Sequence, residues 1–156
     1  MTKVWITTMS THIEAVINPL LAASEDEFVP DVIHLLSNPG IESKVPLVQE
    51  MMTAVTDAYG SGPAEVKVTT LDTETDFAGV ISHIRDPIAA AHPSDVVAVD
   101  VTPGRKFMSA ISFQAGIQFA ADHVYYLYLD SDRHFGDLLP DIPTTAAQLI
   151  DFTEEL

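Results

Sequence analysis

Five short apolar segments alternate with stretches whose apolar residues recur at helical spacing, and this alternation constrains the fold more than any other feature. Val4-Trp5-Ile6 opens the first segment, which runs into the hydroxyl-rich stretch Thr7-Thr8-Met9-Ser10-Thr11. Ile13, Val16, Ile17, Leu20 and Leu21 then mark one helical face, and Asn18-Pro19 is expected to bend that helix, because proline removes an amide donor. Val32-Ile33-His34-Leu35-Leu36 reads as a second strand, stopped by Ser37-Asn38-Pro39-Gly40. Val48, Met51, Met52, Val55 and Tyr59 form the next helical face, closed by Gly60-Ser61-Gly62-Pro63. Val66, Val68 and Leu71 alternate more, as on an edge strand, and Asp76 stands where it would cap a helix carrying Phe77, Val80, Ile81, Ile84 and Ile88. The run Val96 to Val101 is the clearest strand. A helix with Met108, Ile111, Ala115 and Phe119 follows, and then a fifth strand from Val124 to Leu129.

Strands this continuously apolar need cover on both faces, as in a parallel sheet. Right-handed crossovers then give a doubly wound, Rossmann-like α/β domain of three layers, with expected strand order 3-2-1-4-5. The chain of 156 residues suits one domain. Residues 1–129 carry the pattern. Residues 130–156 read as a loop with Gly136, Pro140 and Pro143, then a short helix near Ala146 to Phe152, within the same domain or leading to another.

Charge narrows the function. Seven Lys and Arg stand against 23 Asp and Glu, a net −16, which argues against a broad nucleic-acid-binding surface and against direct DNA binding. Only four of the cations, Lys3, Lys44, Lys67 and Lys106, are lysines, and so acidic a surface suits a salt-rich cytoplasm, where screening limits self-repulsion. With no cysteine, thiolate metal sites, thiol nucleophiles and disulfides are excluded. No apolar run approaches the roughly 18 residues of a membrane span, and no signal-peptide pattern opens the chain, so a cytoplasmic location is expected. His12, His34, His83, His92, His123 and His134 lack ligand spacing, and Asp130, Asp132 and Asp137 are a weak divalent-ion candidate in a solvated loop. Neither a dinucleotide-binding glycine motif nor a P-loop is present.

In such sheets ligands bind beyond the carboxyl ends of the strands where the order reverses, here between strands one and four. The loops at that point are Thr7 to Thr11, rich in hydroxyls, and Thr102 to Lys106, a glycine turn with two adjacent cations at a helix start. Free amides and the positive end of a helix dipole make that start an anion site, and cations in the first turn oppose the dipole unless an anion is bound.

Asp100-Val101-Thr102-Pro103-Gly104-Arg105-Lys106-Phe107-Met108-Ser109 resembles the fourth-strand motif of CARF domains, the CRISPR-associated Rossmann folds, whose common form is D-x-T-G-G-T-K-x-M-S. Ala121 to Leu127 resembles the strand that follows there, and the loop after the first strand corresponds to the family's other ligand-binding loop. The resemblance runs from about Lys3 to Leu129, with its specificity in the fourth-strand motif. Pro103 departs from it by removing an amide, and Arg105 by adding a fork suited to phosphate.

The resemblance, with the acidic charge, implies a haloarchaeal CARF protein, stand-alone or cut from an effector domain. It would act as a homodimer binding cyclic tetra- or hexa-adenylate as the sensor of a type III CRISPR antiviral system, with no cofactor and no metal. Its ligand-binding residues would be Thr8, Met9, Ser10, Thr11, Thr102, Pro103, Gly104, Arg105 and Lys106. A second reading is a metal-independent ring nuclease, in which a ribose 2′-hydroxyl attacks its own phosphate. Lys106 would stabilise the developing charge and Ser10 would position the reacting group. A generic mononucleotide-binding Rossmann domain is a third.

Overall fold

The computed structural model describes all residues from Met1 to Leu156. Its strands are β1 (Lys3–Thr8), β2 (Val32–Ser37), β3 (Glu65–Thr70), β4 (Val96–Asp100), β5 (His123–Leu129) and β6 (Ala147–Asp151). Its helices are α1 (Ile13–Glu25), α2 (Val45–Tyr59), α3 (Phe77–Ala90), α4 (Lys106–Gln118) and the short α5 (Phe152–Glu155). The strands form one sheet in the order β3-β2-β1-β4-β5-β6, parallel except for the β5–β6 pair. This is the doubly wound α/β fold expected.

Alternation along the central strands sends successive side chains to opposite layers. Trp5, Ile33 and Ala98 pack with Val16, Ile17 and Leu20 of α1 and Val48 and Met52 of α2. Val4, Ile6, Val97 and Val99 face the other way, onto Ile84 of α3 and Ala115 of α4. The more polar β3 is the exposed edge, as its alternation suggests. Asp76 caps α3 as expected, its Oδ1 accepting the Gly79 amide at 2.9 Å.

The chain's end corrects one expectation. Residues 147–151 form the antiparallel strand β6 where a helix was expected. Left bare, the outer edge of β5 would present a row of unpaired amides and carbonyls, and pairing it satisfies more backbone than a short helix would. Asp151 fastens the return: its Oδ2 meets His123 Nδ1 at 2.7 Å, and its Oδ1 accepts the Val124 amide at 3.1 Å. Asn18 of α1 holds the intervening loop, donating to the Asp137 carbonyl and accepting the Leu139 amide, both at 2.8 Å. No helix is long and apolar enough to cross a membrane.

Candidate functional site

β1 and β4 are neighbours, yet the chain runs outward from them in opposite directions, to β2 and to β5. The loops leaving these two strands therefore lie at the carboxyl edge of the sheet, where folds of this topology place their ligand crevice. They meet at its floor. Thr8 Oγ1 and Ser109 Oγ both donate to the Pro103 carbonyl at 3.2 Å. Gly104 has φ +93°, and a Cβ there would stand 2.7 Å from Thr8 Oγ1 and 3.6 Å from the Met9 carbonyl, so both conformation and space require glycine.

A buried carboxylate underlies this floor. Asp100, 1% exposed, accepts the Thr7 hydroxyl on Oδ2 and the Thr102 amide on Oδ1, each at 3.0 Å. Thr102 Oγ1 in turn accepts the Leu127 amide at 3.0 Å, so the network ties the ends of β1, β4 and β5 together. Burial pushes the Asp100 carboxyl up to about 7, against the opposing effect of its hydrogen bonds from Thr102 and Thr7. His83 of α3 is also buried, and desolvation brings its pKa down to about 4. It is neutral at pH 7, and its Nε2–H donates to the Thr7 carbonyl at 2.9 Å.

Above the floor starts α4. Its first turn has neither a side-chain cap nor an acidic residue, so its amides and the positive end of its dipole stay uncompensated. Lys106, the first helical residue, is exposed with no acidic partner. Arg105 beside it is already engaged: its Nη1 lies 3.1 Å from each carboxylate oxygen of Glu74, and its guanidinium 5.9 Å from the centre of the Phe107 ring.

The other expected site residues divide into inward and outward groups. Thr8 and Pro103 are buried in the contact between the loops, and the Thr102 hydroxyl serves β5. The Met9 side chain is fully buried in the α1/α2 core, and its amide donates to the Leu36 carbonyl at 2.7 Å, so its carbonyl is what lies beside Gly104. Ser10 Oγ accepts the His12 amide at 3.1 Å, and no hydrogen bond joins it to Lys106. Thr11 is exposed.

Two residues at this edge escaped the sequence reading. Lys44 Nζ donates to the Thr11 carbonyl at 2.7 Å, adding a third cation at the carboxyl edge. Asn38, 7% exposed, has its Nδ2 3.4 Å from Met108 Sδ in the first turn of α4, while its Oδ1 lacks a partner. Asn38 directly follows β2 and Lys44 directly precedes α2, and only their places in the loop beyond a strand's carboxyl end could have marked them.

A cavity of about 590 Å³ opens beside Thr102, walled by Ala15, Pro19, Leu127, Tyr128 and Phe135. Pro19, inside α1, has no amide to offer the carbonyl one turn earlier. No three His, Asp or Glu side chains gather to hold a metal ion.

A doubly wound α/β domain is thus the class of structure observed, and solved proteins share that fold. A type III CRISPR defence DNA nuclease activated by cyclic oligoadenylate aligns with 83% of this chain at TM-score 0.61 and 16% identity. Csm6 of Enterococcus italicus, bound to cyclic hexa-2′-fluoro-hexa-dAMP, aligns with 96% of it at TM-score 0.64 and 12% identity. The chain spans 19% of the first protein and 41% of the second, and at these identities the likeness is one of fold. No protein-family model and no curated protein matches the sequence.

Proposed function

We propose that this chain is a CARF-like sensor domain that binds cyclic oligoadenylate as a homodimer in a type III CRISPR antiviral system. The observation that carries the reading is the uncapped start of α4, bearing Arg105 and Lys106, at the crossover of a fold shared with a cyclic oligoadenylate-activated nuclease. A cyclic tetra- or hexa-adenylate has even symmetry, which suits a two-fold dimer presenting the same loops from each copy. Each half of the ring meets one set of amides and cations, and the cavity beside Thr102, with Tyr128 and Phe135 in its walls, offers room for a base.

Sensing is favoured over cleavage. In the ring-nuclease reading Ser10 and Lys106 act on one phosphate, whereas the Ser10 hydroxyl is held by the His12 amide. Neither titratable group on the floor is placed as a base, since Asp100 and His83 are both buried in hydrogen bonds with Thr7. A net charge of −16 repels DNA and fits the salt-rich cytoplasm of a halophilic archaeon, where fixed amides and the Arg105 fork outlast bare charge attraction.

Lys106→Ala is expected to weaken binding of cyclic tetra- or hexa-adenylate about tenfold or more, the worth of one charge-assisted hydrogen bond. Lys67→Ala, on the exposed edge strand β3, is expected to change it less than about twofold. Isothermal titration of the two variants checks this, and equal losses would place the site elsewhere.

A further inference from the structure

The Arg105–Glu74 contact joins two loops that the binding reading treats separately. Glu74 lies in the turn of residues 71–76 between β3 and α3, and the turn is anchored at both ends. The Leu71 amide donates to the Ser37 carbonyl at 2.9 Å, and the Leu71 side chain is buried with Leu36, Val80 and Met108. At the other end Asp76 caps α3, and Phe77 meets Phe107 of α4 edge to face at 5.5 Å. The anchored turn brings Glu74 to the start of α4, where both its carboxylate oxygens face one guanidinium nitrogen. A phosphate would present a pair of oxygens to this guanidinium in the same manner. The neighbouring amides of α4 and Lys106 receive no acidic group from within the chain.

We propose that Glu74 is an internal stand-in for a ligand phosphate, which it competes with at Arg105. The inference rests on the reading of the α4 start as the anion site. It makes the ligand an oligoanion, with one phosphate taken by Lys106 and the α4 amides and another displacing Glu74 from Arg105. The contact suits such exchange: Arg105 and Glu74 side chains are 62% and 44% exposed, so the pair is weak and screened by salt, and a phosphodiester of equal charge, tethered to a second phosphate held by Lys106 and the α4 amides, displaces it. Displacement frees only the Glu74 side chain, because Leu71 and Phe77 keep the turn docked on Met108 and Phe107 of α4.

The test is titration of cyclic tetra- and hexa-adenylate into the wild type, Glu74→Gln, Arg105→Ala and the double variant, at about 0.15 M salt. Glu74→Gln is expected to tighten binding about two- to fivefold, the range of an exposed ion pair. In the Arg105→Ala background the same change is expected to have no effect. Unchanged or weaker binding by Glu74→Gln would overturn the proposal, showing a carboxylate that steadies Arg105 for the ligand. An equal gain in both backgrounds would also overturn it, as a general effect of removing one negative charge. Failure of all four proteins to bind either ring would instead remove the anion-site reading on which it stands.

Discussion

Gly104→Ala is expected to destabilise the domain by about 2–3 kcal/mol, whereas Gly40→Ala costs about 1 kcal/mol. The two glycines share their backbone conformation, φ +93° at Gly104 and +91° at Gly40, so the penalty for placing an L side chain in the left-handed region is common to both. Their surroundings differ. A Cβ at Gly40 meets nothing within 4 Å, while one at Gly104 would lie 2.7 Å from Thr8 Oγ1. Thr8 is buried and its hydroxyl is committed to the Pro103 carbonyl, so relief requires that bond to break or the two loops to part. Parting the loops moves Arg105 and the start of α4, so Gly104→Ala also weakens anion binding, and Gly40→Ala does so far less. In thermal melts the expected drops are about 5–10 °C and 2–4 °C. Equal drops would show that the Thr8–Gly104 contact does not set the shape of the floor.

The second large effect lies in pH. The Asp100 carboxyl is raised from 3.8 to about 7 in the folded protein, so between those values the folded state holds a proton that the unfolded chain has lost. The stability associated with that proton is fully present below about pH 4 and falls as pH rises through 7. Asp100→Asn removes the titration while keeping an acceptor for the Thr102 amide and a donor toward Thr7 Oγ1. Between pH 5 and pH 8 the asparagine variant is therefore expected to gain about 2–3 kcal/mol on the wild type. His83 works in the opposite direction: lowered to about 4, it adds stability as pH rises toward 6.5. Both proteins contain it, so it drops out of their difference. Urea midpoints at the two pH values check the prediction, and parallel pH profiles would show that Asp100 ionises in the fold without penalty.

What was legible in the sequence followed from patterns that are complete within a short window. Val96 to Val101 is a buried strand on its own evidence, Val124 to Leu129 is a strand too although Tyr126 and Tyr128 stay exposed, and the β1–β4 crossover follows from topology once the strands are known. Ala147 to Asp151 has no such autonomy: it is a strand because β5 has an edge to fill, and that edge is invisible in a short, mixed segment. The same limit applies at the site. The hydroxyl run after β1 marked the right loop, but only the packed structure distinguishes Thr8, turned into the Pro103 carbonyl, from Ser10, turned to the start of α1. Arg105 and Lys106 stood out by charge, whereas Glu74, Asn38 and Lys44 join them through contacts across 31, 70 and 33 residues. Pairings at such separations leave no periodic trace.

The central claim is tested most directly by mixing the pure wild-type chain with cyclic tetra- or hexa-adenylate in molar KCl with EDTA, and following binding by calorimetry and the fate of the ring by chromatography. Saturable binding of one ring per two chains, with the ring recovered intact, is the predicted result. Absence of binding to both rings would contradict it.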